Sequence, residues 1–209
     1  MPRKNNRSDP SLEKSRRVAP ATIQIAAVAG PVFSLGDSGI LKGKKLAFFC
    51  SVKCPGEPIV QAYDFARAMR DAGVTVISGF QSPIEKDCLE LLLRGNQPVV
   101  ICPARSLHRM RLPAIWKTAL KQERLLLLSP FAEQFRRPTV ELSEKRNEFV
   151  ATLADQVIFA YAEPGGKTEG LAKRVMSGGK PVFTLDSKEN ANLVALGARA
   201  VKAEEVVVG

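Results

Sequence analysis

The run KLAFFCSVKCPGEPIVQAYDFARAMRDAGVTVISGFQSPIE, residues 45–85, decides the fold. After its opening lysine, Lys45–Cys50 is apolar throughout, with no alternation of polar and apolar positions. Strands of that kind are buried on both faces and belong to parallel sheets covered by helices. A polar turn, Ser51–Gly56, follows, and then Ile59, Ala62, Phe65, Ala66 and Met69 recur at helical spacing across Pro58–Ala72. Gly73 ends that helix and Val74–Ser78 is again apolar. Strand, helix and strand joined by short links make one parallel crossover unit.

The rhythm continues outward. The pattern predicts a helix around Ile84–Leu93, a strand over Pro98–Cys102, and a helix near Pro113–Gln122 with Pro113 suited to its first turn. A strand Arg124–Leu128, a helix near Glu144–Leu153, a strand Gln156–Ala160 and a helix Thr168–Met176 come next. A strand Pro181–Leu185 and a short helix near Asn192–Leu196 close the series. The fold class is therefore α/β: a doubly wound, mostly parallel sheet with helices on both faces. Val18–Pro31, apolar and rich in small residues, is compatible with either a helix or a strand, and Gly36–Gly39 reads as a turn. The chain divides into a basic arm (1–17), a lead-in segment (18–40) and the α/β domain (41–209).

Charge sets the class of partner. The 209 residues hold 31 Lys and Arg against 21 Asp and Glu, a net charge of +10. Such a surplus points to a polyanion: nucleic acid, an acidic membrane surface or a nucleotide. Arg3, Lys4, Arg7, Lys14, Arg16 and Arg17, against only Asp9 and Glu13, concentrate part of it in an arm too polar to build a core. No apolar stretch is long enough to span a membrane, and the start is too polar for a secretory signal. Cys50, Cys54, Cys88 and Cys102 read as reduced thiols of a cytoplasmic protein. A single histidine, His108, completes neither a zinc site nor a catalytic triad. The expectation is a binding protein, not an enzyme, without cofactor or metal.

Ligands of doubly wound sheets bind beyond the carboxyl ends of the strands. After the first strand, Ser51 and Lys53 suit an approaching anion, although a plain turn reads equally well. After the second, Ser78 and Gly79 suit a phosphate, while Ser82 followed by Glu85 fits a helix-capping box. Gly165, Gly166, Lys167 and Thr168, opening a helix, form the best phosphate cradle by composition. Where a nucleotide-hydrolysing loop would need glycine, Tyr161 stands, which argues against ATP hydrolysis. Arg105, Arg109 and Arg111 fill one strand-end loop, and Lys117, Lys121 and Arg124 follow at helical spacing. Arg136 and Arg137 add a pair, and the whole suits the backbone of a single strand.

Four segments in order resemble the core of the DNA-processing protein A (DprA/Smf) family. Ser51 stands in its G-S-R motif, and Ser78-Gly79-Phe80-Gln81-Ser82-Pro83-Ile84-Glu85 in its S-G-x-A-x-G-I-D. Arg146-Asn147 begins the R-N-R segment, and Gly179-Lys180-Pro181-Val182-Phe183 matches the closing G-R-P-V-F. The departures are Cys50 and Val52 around Ser51, Pro83 and Glu85 for the Gly and Asp, and Glu148 for the second Arg. The resemblance implies a Rossmann-like domain that binds single-stranded DNA, with Arg146 and Asn147 in the site. It also implies a homodimer and a recombinase as a further partner, in DNA-mediated transformation. A second resemblance, of Pro164–Thr168 to the P-G-G-x-G-T loop of LOG-type phosphoribohydrolases, makes a nucleotide the alternative ligand.

Overall fold

The computed structural model describes residues 19–205; the basic arm lies outside the described residues. Among the described residues, nine strands form one sheet and six α-helices flank it in two layers. The strands are β1 (Ala21–Ile23), β2 (Val32–Gly36), β3 (Lys45–Cys50), β4 (Thr75–Ser78) and β5 (Val99–Ile101), followed by β6 (Leu125–Ser129), β7 (Gln156–Tyr161), β8 (Val182–Leu185) and β9 (Arg199–Val201). The helices are α1 (Gly56–Asp71), α2 (Pro83–Leu92), α3 (Ala114–Lys121), α4 (Val140–Leu153), α5 (Lys167–Ser177) and α6 (Ala191–Ala195). The strand order is β1-β2-β6-β5-β4-β3-β7-β8-β9, parallel from β6 through β9, with β2 and β1 added antiparallel beside β6. The chain winds outward from β3 through β4, β5 and β6, then returns to the other side of β3 at β7. The β3–β7 junction is thus the switch point of a Rossmann-like, doubly wound sheet.

Period-two alternation feeds both helical layers from each strand. Leu46, Phe48 and Cys50 pack with Ala62, Phe65 and Met69 of α1 and with Cys88 and Leu89 of α2. Ala47 and Phe49 pack with Phe149 and Val150 of α4 and Leu171 of α5. Phe48 stacks on Phe65 at 5.2 Å between ring centres, and Phe49 stacks on Phe159 at 5.4 Å. Lys45, the polar residue of that strand, is buried because its ammonium donates to the carbonyls of Leu41 (3.1 Å) and Gly43 (2.6 Å) and pairs with Asp155 at 3.3 Å. That arrangement meets the requirement that a buried charge be fully partnered.

Several boundaries differ from the sequence reading for local reasons. Helix α4 starts at Val140, ahead of the expected Glu144, because the Thr139 hydroxyl accepts the Leu142 amide (3.1 Å) and caps it. Pro113 stands one residue before α3, not in its first turn. Arg124 does not continue a basic helical stripe: α3 has ended, and its guanidinium donates to the Leu93 carbonyl (2.9 Å). The lead-in supplies β1 and β2; β2 pairs with β1 on one side and β6 on the other, and its Val32 and Ser34 are buried. Strand β9, three residues long, carries too short an apolar pattern to be read from sequence.

Candidate functional site

The carboxyl ends of β3, β4, β5 and β7 meet in a framework built from the chain's own polar groups. The Glu85 carboxylate is buried in the turn between β4 and α2. One oxygen accepts the Cys50 amide (3.0 Å); the other accepts the amides of Gln81 (2.7 Å) and Ser82 (3.2 Å). The Ser82 hydroxyl accepts the Glu85 amide in return, completing a capping box. Ser51 bridges the switch point: its amide donates to the Tyr161 carbonyl (2.9 Å) and its hydroxyl accepts the Glu163 amide (3.0 Å). Ser78 is fully buried, and its hydroxyl accepts the amide of Phe80, which adopts the left-handed φ of 47°. For a bulky side chain that conformation is strained and persists only where the surroundings over-determine it.

Arg146, on α4, lies at the centre of this framework with 3% of its surface exposed. Its guanidinium donates to the Cys102 carbonyl (3.0 Å), the Gln81 side-chain oxygen (3.0 Å) and the Asn147 side-chain oxygen (2.8 Å). All three acceptors are neutral, and among the described residues it has no carboxylate partner within ion-pair distance. Burial lowers its pKa below the ordinary arginine value, and the field of Glu85 opposes that shift. The group nevertheless stays charged, because an arginine in a protein does not lose its proton. Gly79 explains how it fits: a Cβ at that position would lie 1.5 Å from Nη1 of Arg146. The small residue expected to admit a phosphate therefore admits a guanidinium.

The glycine loop is likewise occupied by internal partners. The Gly165 amide donates to the buried Glu169 carboxylate (3.1 Å), and the Gly166 amide donates to the Glu163 carbonyl (2.9 Å). Asn192 and Lys173 also bind Glu169 and, with that amide, hold its carboxyl below the ordinary glutamate value despite desolvation. Gly166 caps α5 without a side-chain hydrogen bond, and Thr168 follows half-buried in the first turn. Lys167 is exposed and pairs with Glu144 of α4.

Positive charge clusters on the other half of the edge. Two loops, between β5 and α3 and between β6 and α4, lean on each other. The Ser106 amide donates to the Phe135 carbonyl (2.7 Å), the Ser129 hydroxyl donates to the Arg105 carbonyl (2.8 Å), and Glu133 pairs with both His108 and Arg136 at 3.1 Å. This lobe carries Arg105, Arg109, Arg111, Arg136 and Arg137, with Glu133 its one carboxylate. Arg109 and Arg111 are exposed, while Arg105 is half-buried with its Nε–H lacking an acceptor among the described residues. Across the switch point the charges are mixed: Glu57, Glu163, Asp186 and Glu189 stand with Lys53, Lys167 and Lys188 after β3, β7 and β8. Partial burial, then Glu163 and Glu189, raise the Tyr161 hydroxyl above its ordinary pKa.

The structure thus joins Gly79 to Arg146 and Asn147 directly, and sets Arg105 three residues beyond the Cys102 carbonyl that Arg146 binds. Ser51, Ser78, Gly165 and Gly166 shape the edge through internal hydrogen bonds. Lys53, exposed after β3, makes no hydrogen bond or ion pair among the described residues, and neither it nor Lys167 touches Arg146. Sequence reasoning overlooked Gln81, Glu133 and Glu144, which meet Arg146, His108 and Lys167 from elsewhere in the chain. Among the described residues no group of histidine, cysteine and carboxylate side chains could hold a metal, and no helix is long and apolar enough to cross a membrane. All four cysteines are free thiols.

The fold and edge define a Rossmann-like domain whose carboxyl edge is basic on the β5–β6 side and mixed in charge on the other. No protein-family model matches the chain, and no curated protein matches it in sequence. Solved structures do share its fold. DNA processing protein A from Streptococcus pneumoniae superposes over 84% of this chain with a TM-score of 0.69 at 19% identity. The chain spans 64% of that protein's length. DNA processing protein A from Helicobacter pylori, which binds single-stranded DNA, superposes over 87% of this chain and 90% of its own, with a TM-score of 0.71 at 19% identity. The molybdenum cofactor carrier protein of Chlamydomonas reinhardtii is a more distant likeness: TM-score 0.53, 10% identity, 77% of this chain and 92% of that one. At these identities the likeness is one of fold.

Proposed function

We propose that this protein binds single-stranded DNA through its phosphates, along the basic half of the carboxyl edge, in a DprA-like role in DNA processing and recombination. The observation that carries the reading is the lobe of five arginines beside the buried Arg146, on a fold shared with DNA processing protein A. Arginines at a strand-end edge neutralise phosphates without reading sequence, so binding is general and salt-dependent. Beyond the switch point acidic and basic residues are mixed, so the excess of positive charge favours the path of the strand over β5 and β6. Homodimer formation and delivery of the strand to a recombinase belong to the same reading.

Binding without turnover is part of the proposal. A phosphoribohydrolase would hold a nucleotide phosphate on the glycine loop, but there the Gly165 amide faces a buried carboxylate and Lys167 is paired with Glu144. The experiment is a titration of single- and double-stranded oligonucleotides at two salt concentrations, beside incubation with nucleoside monophosphates. The expected result is single-strand binding whose log–log salt slope is about −0.7 per phosphate neutralised, with no free base released. Release of base, or no binding at low salt, would overturn it.

A further inference from the structure

Phe135 is an aromatic ring held out of the core among the five arginines of the basic lobe. It is 41% exposed, although the ring it touches, Phe131, is buried. The two meet edge to face, with centres 6.2 Å apart at 64°, which fixes the Phe135 ring without covering it. Its backbone is pinned on both sides: the carbonyl accepts the Ser106 amide (2.7 Å) and the amide donates to the Ala132 carbonyl (3.1 Å). The position is therefore set by the packing of two loops. Arg136 and Arg137 follow it directly, and Arg105, Arg109 and Arg111 come from the loop it contacts.

A single exposed apolar side chain is ordinary on a protein surface; what sets Phe135 apart is a ring fixed by two loops among five arginines. A purely electrostatic phosphate surface has no need of an aromatic ring. A nucleobase suits both the ring and the arginines, since its flat π-face covers the ring while its phosphates meet the flanking guanidiniums. A duplex cannot make this contact, because its bases are stacked and paired.

We propose that Phe135 is a base-stacking platform, and that stacking on it makes the site prefer single strands over duplex. This rests on the single-strand reading above. Arginines supply affinity independent of strand form; the ring adds a term that only unpaired bases provide. Base–aromatic stacking is worth about 1–3 kcal/mol per base, so the expected loss on truncation is about fivefold or more.

The test compares a thymine oligonucleotide with an abasic one of equal length and charge, by fluorescence anisotropy, on wild type, F135A, F135L and F135W. The expected result is that F135A and F135L bind the thymine oligonucleotide about fivefold or more weakly, bind the abasic one as wild type does, and lose most of the preference over duplex. F135W should retain wild-type affinity. F135L keeps apolar volume against Phe131, so it still reads out stacking if F135A does not fold. Equal affinity of F135L and wild type for the thymine oligonucleotide would overturn the inference and leave the single-strand reading standing. Equal losses on both oligonucleotides would assign Phe135 to loop structure and also overturn it. Absence of any oligonucleotide binding by the wild type would remove the underlying reading as well.

Discussion

Replacing Gly79 by alanine tests the central framework, because its effect must pass through another residue. The new methyl carbon would lie 1.5 Å from Nη1 and 1.8 Å from Cζ of Arg146, so the guanidinium has to leave its place. Leaving breaks three hydrogen bonds from a charged donor and strands the buried Cys102 carbonyl. The carbonyl alone costs about 1–3 kcal/mol when unsatisfied, and hydrogen bonds to a charged group contribute about 1.5–3 kcal/mol each. Gln81 is exposed and Asn147 half-buried, so water replaces part of that loss. Relief of the buried, unpaired charge offsets more of it. The net expectation for G79A is a destabilisation of about 2–4 kcal/mol, a fall in thermal midpoint of about 4–16 °C for a chain of this size. R146A should cost a similar amount, and the double variant no more than either single one, because the methyl then enters an empty space. The assay is urea denaturation of wild type, both single variants and the double, with slopes compared to confirm one two-state transition. Contacting residues give a non-additive cycle. Additive costs across the cycle would refute the reasoning, as would a G79A variant of unchanged stability.

Further outcomes follow from the same geometry. Charge reversals R109E and R111E should each weaken single-strand binding and reduce the salt slope by about 0.7, while K188E changes neither; equal effects at all three positions would replace the lobe by a diffuse surface. Because Glu169 titrates below the ordinary glutamate value of 4.5 when folded, the unfolded chain takes up the proton more readily. Its stabilisation is complete above that value and lost as pH falls through the lower folded one. E169Q should therefore flatten the acid limb of a stability–pH curve, and an unchanged limb would contradict this. The Cys50 thiol, by hydrogen bonding, lowers the pKa of Cys54, whereas Cys50 itself is raised and burial pushes Cys102 up to about 12. Alkylation at neutral pH followed by peptide mapping should find Cys54 modified first and Cys102 protected.

What the sequence determined was the local and periodic part of the structure. The unbroken apolar runs at Lys45–Cys50 and Gln156–Tyr161 could be buried only on both faces, so a parallel sheet between helices followed. The capping box at Ser82 and Glu85 was legible because its partners are three residues apart. The basic character of the loop from Pro103 to Arg111 was legible because charge is a property of composition. Tertiary structure decided what each candidate residue does. Gly79 reads in sequence as room for a phosphate; Arg146, arriving from a helix 67 residues later, takes that room. Gly165 reads as a free backbone donor, until Asn192 of α6 holds the Glu169 carboxylate that takes its amide. Lys167 reads as a free charge, until α4 brings Glu144 beside it. The grouping of the loop arginines on one side of the edge was equally hidden, since it depends on the strand order, which places the loops after β5 and β6 on one side of the switch point and those after β7 and β8 on the other. Periodicity reports which face of an element is buried. Which side chain meets which backbone group depends on the crossing of elements distant in sequence, and only the packed sheet sets that crossing.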